Sequence, residues 1–515
     1  MNKLFGDYDK TIFWLAALFC LLFVGITVAN PAAMQTNFQA LFNFFITNLG
    51  WLYLLLTMIF LVFCLVLAFS KYGHIRLGKD DEEPEFSTAA WFAMLFAAGM
   101  GIGLVFWGVA EPIYHFAGPP FADPGTKAAA LEAMRYSFFH WGLHPWACYG
   151  VVAMCLAYFQ FRRGMPGLIS STFKPLLGEK GITGGWGKTI DIFTVVVTLF
   201  GVATSLGLGA MQITTGLDLV VGIPASTAVS IGVIVVITVL FTISAVTGIS
   251  RGIKWLSTIN MYLFFLLMIA VLFLGPTRYL INTFVESLGA YLQNIIIMSF
   301  YTDAQGAVLE HAGWDWVGGW TVFYWAWWIT WAPFVGSFIA RISRGRTIKE
   351  FVFGILLAPT LLCMIWFGIM GGTAINIELF GAGGIVDATY ADVTTAIFAM
   401  FSNLPAGGLL SVVAMILTSI FFITSADSST YVVSMMTSGG NLHPKNTLRV
   451  FWGIVAGSIA AMLLLTGGLS AVQTVAFVFG FPFMIIMVFM MVSLLKAFRE
   501  DENIEVVVQV EKEVG

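Results

Sequence analysis

The sequence predicts an all-α polytopic membrane protein of twelve transmembrane helices, and three observations carry that prediction. Of its 515 residues, 59% are hydrophobic and only 10% charged, and the mean hydropathy of +0.90 makes lipid the main solvent. Apolar stretches such as "WLYLLLTMIFLVFCLVLAFS" from Trp51 run unbroken. Each can cross about 30 Å as helix, unlike the alternating ten-residue segments of an outer-membrane barrel. The basic residues also segregate: with both termini on one side, that side collects all 24 Lys and Arg except Lys127, Arg135 and Arg278. The positive-inside rule then places both termini in the cytoplasm of a plasma-membrane protein and asks for an even number of spans.

In chain order the spans are expected at 11–31, 50–70, 87–116, 134–161, 189–215, 224–249, 255–275, 316–340, 350–371, 406–437, 449–467 and 470–495. The first ends in "VANPAAMQ" without a small-x-small cleavage site, so it is read as a span rather than a removed leader. Between the seventh and eighth, "NTFVESLGAYLQNIIIMSFYTD" is too polar to span and is expected to lie along the membrane surface. Cys20, Cys64, Cys148, Cys155 and Cys363 all fall in apolar stretches and read as small core residues.

The third span contains "FAAGMGIGLVFWG", with Gly99, Gly101, Gly103 and Gly108 in an apolar run. Close helix packing accounts for any two of them. At roughly 1 kcal/mol each relative to alanine, three alternating glycines favour a local unwinding. In a membrane, an unwound segment is tolerated where its free N–H and carbonyl groups line a cavity, the arrangement secondary transporters use for substrate and ion.

The fourth span carries "FHWGLHPWACYG", where Trp146 and Tyr149 are three apart and Trp141 and Tyr149 two turns apart. His140 and His144 among them read as hydrogen-bonded core residues in preference to proton carriers. In the eighth span, "WTVFYWAWWITWAPFV" holds five of the seventeen tryptophans. Trp331 precedes Arg341 by ten residues, about 15 Å along a helix, which puts it near mid-membrane and not in an interfacial belt. Trp327, Trp328 and Trp331 share a helical face, and Trp325 joins Trp328 at spacing three. Such a face suits a quaternary ammonium, whose charge no deprotonation removes, at on the order of 0.5–2 kcal/mol per ring.

The tenth span contains "FFITSADSSTYVVS", where Asp427 is flanked by Thr424, Ser425, Ser428 and Ser429. A carboxylate there is costly and a functional candidate, and the hydroxyls are hard ligands suited to Na⁺. A helix-to-helix hydrogen-bond patch is the structural alternative. No paired catalytic carboxylates, metal-ligand cluster or nucleophile with a neighbouring base is evident at the aromatic site, so no enzyme activity and no cofactor beyond a coupling ion is expected.

"GMGIGLVFWGVAEP", "HWGLHPWACY", "FYWAWWITWAPFVGSFIARISRGRTIKEF" and "TSADSSTY" together resemble the betaine/choline/carnitine transporter family over essentially the whole chain. The resemblance implies a leucine-transporter-type 5+5 inverted repeat preceded by two extra helices. The segments would be 1–86 (N-terminal tail and two peripheral helices), 87–280 (first repeat), 281–315 (surface helix and loop), 316–497 (second repeat) and 498–515 (a short acidic tail). It also implies a homotrimer, and no nucleic-acid partner.

By the same resemblance, substrate would be held by Trp141, Trp146, Tyr149, Trp327, Trp328 and Trp331 with Ala98, Ile102 and Gly103. Na⁺ would be held by carbonyls of Ala97, Met100 and Phe421 with Thr424 and Ser425. A second Na⁺ is implied at Thr198 and Phe334, although Val202 stands where the family pattern has another threonine and offers no oxygen. Gly103, where proton-coupled choline carriers have Asp, and Asn260, where sodium-independent carnitine exchangers have Arg, favour Na⁺-coupled uptake of glycine betaine or a related trimethylammonium zwitterion. The alternative is a Na⁺-independent or proton-coupled carrier of carnitine or choline.

Overall fold

The computed structural model describes the backbone of residues 5–99, 101–247 and 250–514, and the side chains of all of these except 98, 99, 244–254, 472 and 502–514. Among the described residues the β component is an isolated antiparallel bridge between Arg76 and Thr347. Everything else regular is helical: α1 Lys10–Ala29, α2 Pro31–Phe69, α3 Thr88–Gly99, α4 Ile102–Ala117, α5 Lys127–His140, α6 Leu143–Ala157, α7 Gly185–Gly216 and α8 Thr227–Thr247. Then follow α9 Ser250–Leu274, α10 Thr277–Phe300, α11 Phe323–Ile342, α12 Ile348–Phe380, α13 Gly407–Thr437, α14 Asn446–Thr466 and α15 Leu469–Val514, with short helices in the connections.

Local chemistry sets several of these boundaries. The Asp9 carboxylate accepts from the N–H groups of Thr11 and Ile12 to open α1. Asn30 caps α2 ahead of Pro31, whose missing N–H costs nothing at a first helical position. Thr347 and Glu350 form a reciprocal capping box at the start of α12.

Nine helical segments among the described residues are long and apolar enough to cross a membrane, and the bent pair α3–α4 makes a tenth. Helices α8 and α11 occupy the two remaining expected positions, so twelve crossings are compatible with the fold. Contacts come in corresponding pairs: α4 packs on α12 as α11 packs on α6, α7 on α15 as α13 on α9, and α7 on α14 as α13 on α8. The pairs α7–α13 and α8–α14 correspond to themselves, a pattern compatible with two five-helix repeats.

Three elements run beyond or subdivide the expected spans. The span expected at 50–70 is the second half of a 39-residue helix. The span expected at 134–161 is two helices, α5 and α6, broken at Trp141–Gly142. A Cβ at Gly142 would lie 2.4 Å from the Phe138 carbonyl oxygen and 2.8 Å from the Tyr291 hydroxyl, so this corner needs glycine. The last span and the acidic tail form one continuous helix, α15. The amphipathic segment before the eighth span is helical, as expected, and α10 packs on α5 and α12.

Candidate functional site

Two interruptions of helical structure border the same cavity. Between α3 and α4 the chain bends by 66°. Gly101, in extended conformation, opens α4 without a side-chain cap, which leaves the first N–H groups of that helix without intrahelical partners. At the second, α5 gives way to α6 at Trp141. The glycines of the run serve different ends. Gly101 sits at the break. A Cβ on Gly103 would lie 2.9 Å from Trp327 and 3.1 Å from Trp141. One on Gly108 would lie 2.3 Å from Trp366 Nε1, so this last glycine serves packing.

The rings of Trp141, Trp146, Tyr149, Trp327, Trp328 and Trp331 line one cavity with Gly101, Gly103, Leu104, Pro145, Ser205 and Cys363. Its water-accessible volume is about 40 Å³, room for roughly three waters at about 10–15 Å³ each. Trp327 and Trp328 stack at 4.8 Å and 16°. Trp141 stands edge-on to Trp328 at 4.7 Å and 75°, and Tyr149 is edge-on to Trp328 at 6.3 Å.

Four indole N–H groups are tied to the protein. Trp141 Nε1 donates to Glu111 at 2.7 Å, Trp327 Nε1 to the Thr204 hydroxyl at 3.2 Å, Trp328 Nε1 to the His140 carbonyl at 3.0 Å and Trp331 Nε1 to the Gly201 carbonyl at 2.7 Å. With their polar edges satisfied, these rings offer the cavity apolar surface carrying a negative quadrupole face. The chemistry of such a chamber suits a cation that cannot donate hydrogen bonds.

The other expected positions fall as follows. The Ile102 side chain packs on Gly209 of α7, outside the cavity. The side chain of Ala98, and Met100 altogether, lie outside the described residues. Ala97, in the last turn of α3, has an exposed side chain. On α13, which packs on α4, the Thr424 hydroxyl donates to the carbonyls of Ile420 at 2.9 Å and Phe421 at 3.2 Å. A hydroxyl that spends its proton on its own helix keeps its lone pairs for a cation. Ser425 is half-buried beside it. Thr198 donates to the Thr194 carbonyl at 2.8 Å, Val202 is buried one turn on, and Phe334 packs edge-on to Trp331 at 5.6 Å.

Trp325 does not join the aromatic face. At 100° per residue it is 60° off Trp328 and further from the others, and it stacks on His144 at 5.2 Å instead. His144 Nε2 pairs with the Ser299 hydroxyl at 2.9 Å.

Asp427 pairs with Arg449 and faces a second cavity of about 240 Å³, lined also by Gln160, Phe334, Arg341, Ser428 and Tyr431. The two cavities share the length of α11, with Trp331 in one and Phe334 in the other.

Sequence reasoning missed the residue behind the box. Glu111, fully buried, receives His140 Nδ1 at 2.7 Å, His115 Nε2 at 3.2 Å, Trp141 Nε1 at 2.7 Å and the Tyr324 hydroxyl at 2.5 Å. His140 Nε2 pairs in turn with the Thr321 hydroxyl at 2.9 Å. The expectation that no cluster of metal-ligating residue types adjoins the aromatic site is thus corrected: ligand atoms of Glu111, His115 and His140 lie within 4.8 Å of one another. Their hydrogen-bonding distances account for that proximity. The one signal in the sequence was a lone carboxylate in the apolar run "GVAEP".

Comparison with known proteins bears on this arrangement. The profile of the betaine/carnitine/choline family transporters matches residues 11–503. A probable glycine betaine transporter of Desulfitobacterium hafniense (strain Y51) is 46% identical over 97% of this chain and 100% of its own length. The glycine betaine transporter OpuD of Bacillus subtilis (strain 168) is also 46% identical, over 96% of this chain and 95% of its own. An ectoine/hydroxyectoine transporter of Virgibacillus pantothenticus is 40% identical over 98% and 99%.

Proposed function

The chain belongs to the betaine/carnitine/choline family of transporters, and on that footing we propose that it carries glycine betaine, or a close trimethylammonium zwitterion, into the cell by Na⁺-coupled symport. It is a multi-pass membrane transporter and not an enzyme. The observation that carries the substrate reading is the box itself: six aromatic side chains around one small cavity, four of them with their N–H groups bonded away from it. Two similar transporters bear glycine betaine in their names.

The zwitterion's other end meets matching chemistry in the same cavity, where the uncapped start of α4 at Gly101–Gly103 and the Ser205 side chain lie among the lining groups. A helix N-terminus favours a carboxylate.

Sodium coupling rests on two supports. A side chain at Gly103 would press on the ring tips of Trp327 and Trp141, so the aspartate of a proton-coupled carrier would require those rings to shift. Thr424, the Phe421 carbonyl and Ser425 gather hard oxygen ligands on α13 next to the broken helix. Alternating access then follows if ion binding at the α3–α4 break draws that segment toward α13 around the loaded box.

The test is uptake into proteoliposomes of labelled glycine betaine, carnitine, choline and ectoine, with an inward Na⁺ gradient and with K⁺ in its place. Accumulation of glycine betaine with Na⁺ alone supports the reading. Equal uptake without Na⁺ overturns the coupling, and preference for ectoine overturns the cargo.

A further inference from the structure

We propose that Glu111 is the electrostatic counterweight of the substrate's ammonium, acting through the Trp141 indole, and that it sets the preference of the box for cationic over uncharged head groups. The inference rests on the cation-box reading above and assigns a positioning residue that the reading itself does not require.

The bonding around Glu111 is satisfied with both imidazoles neutral. His140 donates through Nδ1 to Glu111 and accepts at Nε2 from Thr321, while His115 donates through Nε2. Trp141 has only a donor to offer, and the Tyr324 hydroxyl completes the set. In this choice of tautomers four donors converge on the carboxylate, which favours its anionic form, while burial favours the neutral acid; the proposal is one of an ionised Glu111. Among the described residues, the ion-pair partners within reach are these two histidines, with no lysine or arginine. An ionised Glu111 would then carry a negative charge that no lysine or arginine cancels among the described residues, in fully buried surroundings.

That charge is coupled to the box along two routes. The direct one is the 2.7 Å bond from the Trp141 N–H. An indole that donates to an anion gains electron density on its ring, which deepens the attraction of its face for a cation. The second route is His140, whose side chain bonds Glu111 while its backbone carbonyl holds Trp328 Nε1 at 3.0 Å. Tyr324, the fourth donor, lies stacked over Trp328 at 5.8 Å and 22°. A cation entering the chamber meets one ring, Trp141, bonded directly to the carboxylate, and a second, Trp328, positioned by a residue that the carboxylate holds. An uncharged head of the same shape gains nothing from the field.

The experiment compares glycine betaine with 3,3-dimethylbutanoate, which replaces the quaternary nitrogen by carbon and keeps the shape and the carboxylate. Equilibrium binding of both to the purified full-length transporter is measured for wild type, Glu111→Gln, Trp141→Phe and the double variant. Wild type is expected to prefer glycine betaine, and Glu111→Gln to reduce that preference about tenfold by weakening betaine binding while leaving the isostere within about twofold. Trp141→Phe, which keeps a ring but breaks the link, is expected to reduce it similarly, and the double variant to add little.

Undiminished preference in Glu111→Gln, or equal losses for both ligands, overturns the proposal, because a purely structural role weakens both alike. If Glu111→Gln does not fold, undiminished preference in Trp141→Phe does the same. Failure of the box reading is distinguishable: there, wild type itself shows no preference for the cation.

Discussion

Glu111 and Asp427 are two of the buried carboxylates among the described residues, and the structure treats them in opposite ways. Asp427 is neutralised by a full cation, Arg449, at the edge of a roomy cavity that also holds Arg341, Ser428 and Tyr431. Glu111 is surrounded by neutral donors and sealed. The first arrangement ends with no net charge to offer a passing ligand. The second, with Glu111 ionised as proposed above, keeps a charge on the far side of a box ring. A buried charge is tolerated when paired or fully hydrogen-bonded, and these two sites use one solution each.

The largest expected effect is at Glu111. Replacing it with alanine strands four donors, each costing about 1–3 kcal/mol when left unmade, so thermal unfolding in detergent should show a loss above about 4 kcal/mol. No single second substitution should restore it. Next is Arg449→Ala, which leaves Asp427 uncompensated and should cost about 3–5 kcal/mol. Here the contrast sharpens: adding Asp427→Asn should recover much of that loss. A comparable recovery at Glu111, or none at Asp427, would break the comparison.

A smaller effect is expected from Trp328→Leu, at about 0.5–2 kcal/mol of glycine betaine affinity with folding retained, read by equilibrium binding. Smallest is the exposed Glu85–Arg341 pair, bonded at 2.6 and 2.9 Å. The Arg341 guanidinium holds the Glu85 carboxyl below the usual glutamate range. Its contribution is therefore present above the unfolded value and lost as pH falls through the lowered folded one. At about 0–1 kcal/mol, Glu85→Gln should leave neutral-pH unfolding nearly unchanged and slightly reduce the acid dependence below about pH 4.3.

The box was readable because its parts are local. Trp327, Trp328 and Trp331 share a face through helical spacing alone, and three alternating glycines announce a break by their conformational cost. Trp325 escaped that logic because helical spacing gives neighbours on a surface without saying which neighbour helix claims each edge; His144 of α6 claims this one. Glu111 was invisible for a different reason. Its partners lie 4, 29, 30 and 213 positions away, and only tertiary packing assembles them. Asp427 could be singled out as costly, but its compensation by Arg449 lies on another helix. The split of the fourth span turns on Gly142 meeting Tyr291 of α10, a contact with no trace in hydropathy.

The central claim is that a permanently cationic head group sits among these six rings. It is tested most directly by saturation binding of radiolabelled glycine betaine to the purified transporter, in wild type and in a variant with Trp327 and Trp328 both changed to leucine. The account predicts saturable binding to wild type and its loss in the variant with the fold intact. Saturable binding of equal affinity in both would contradict it.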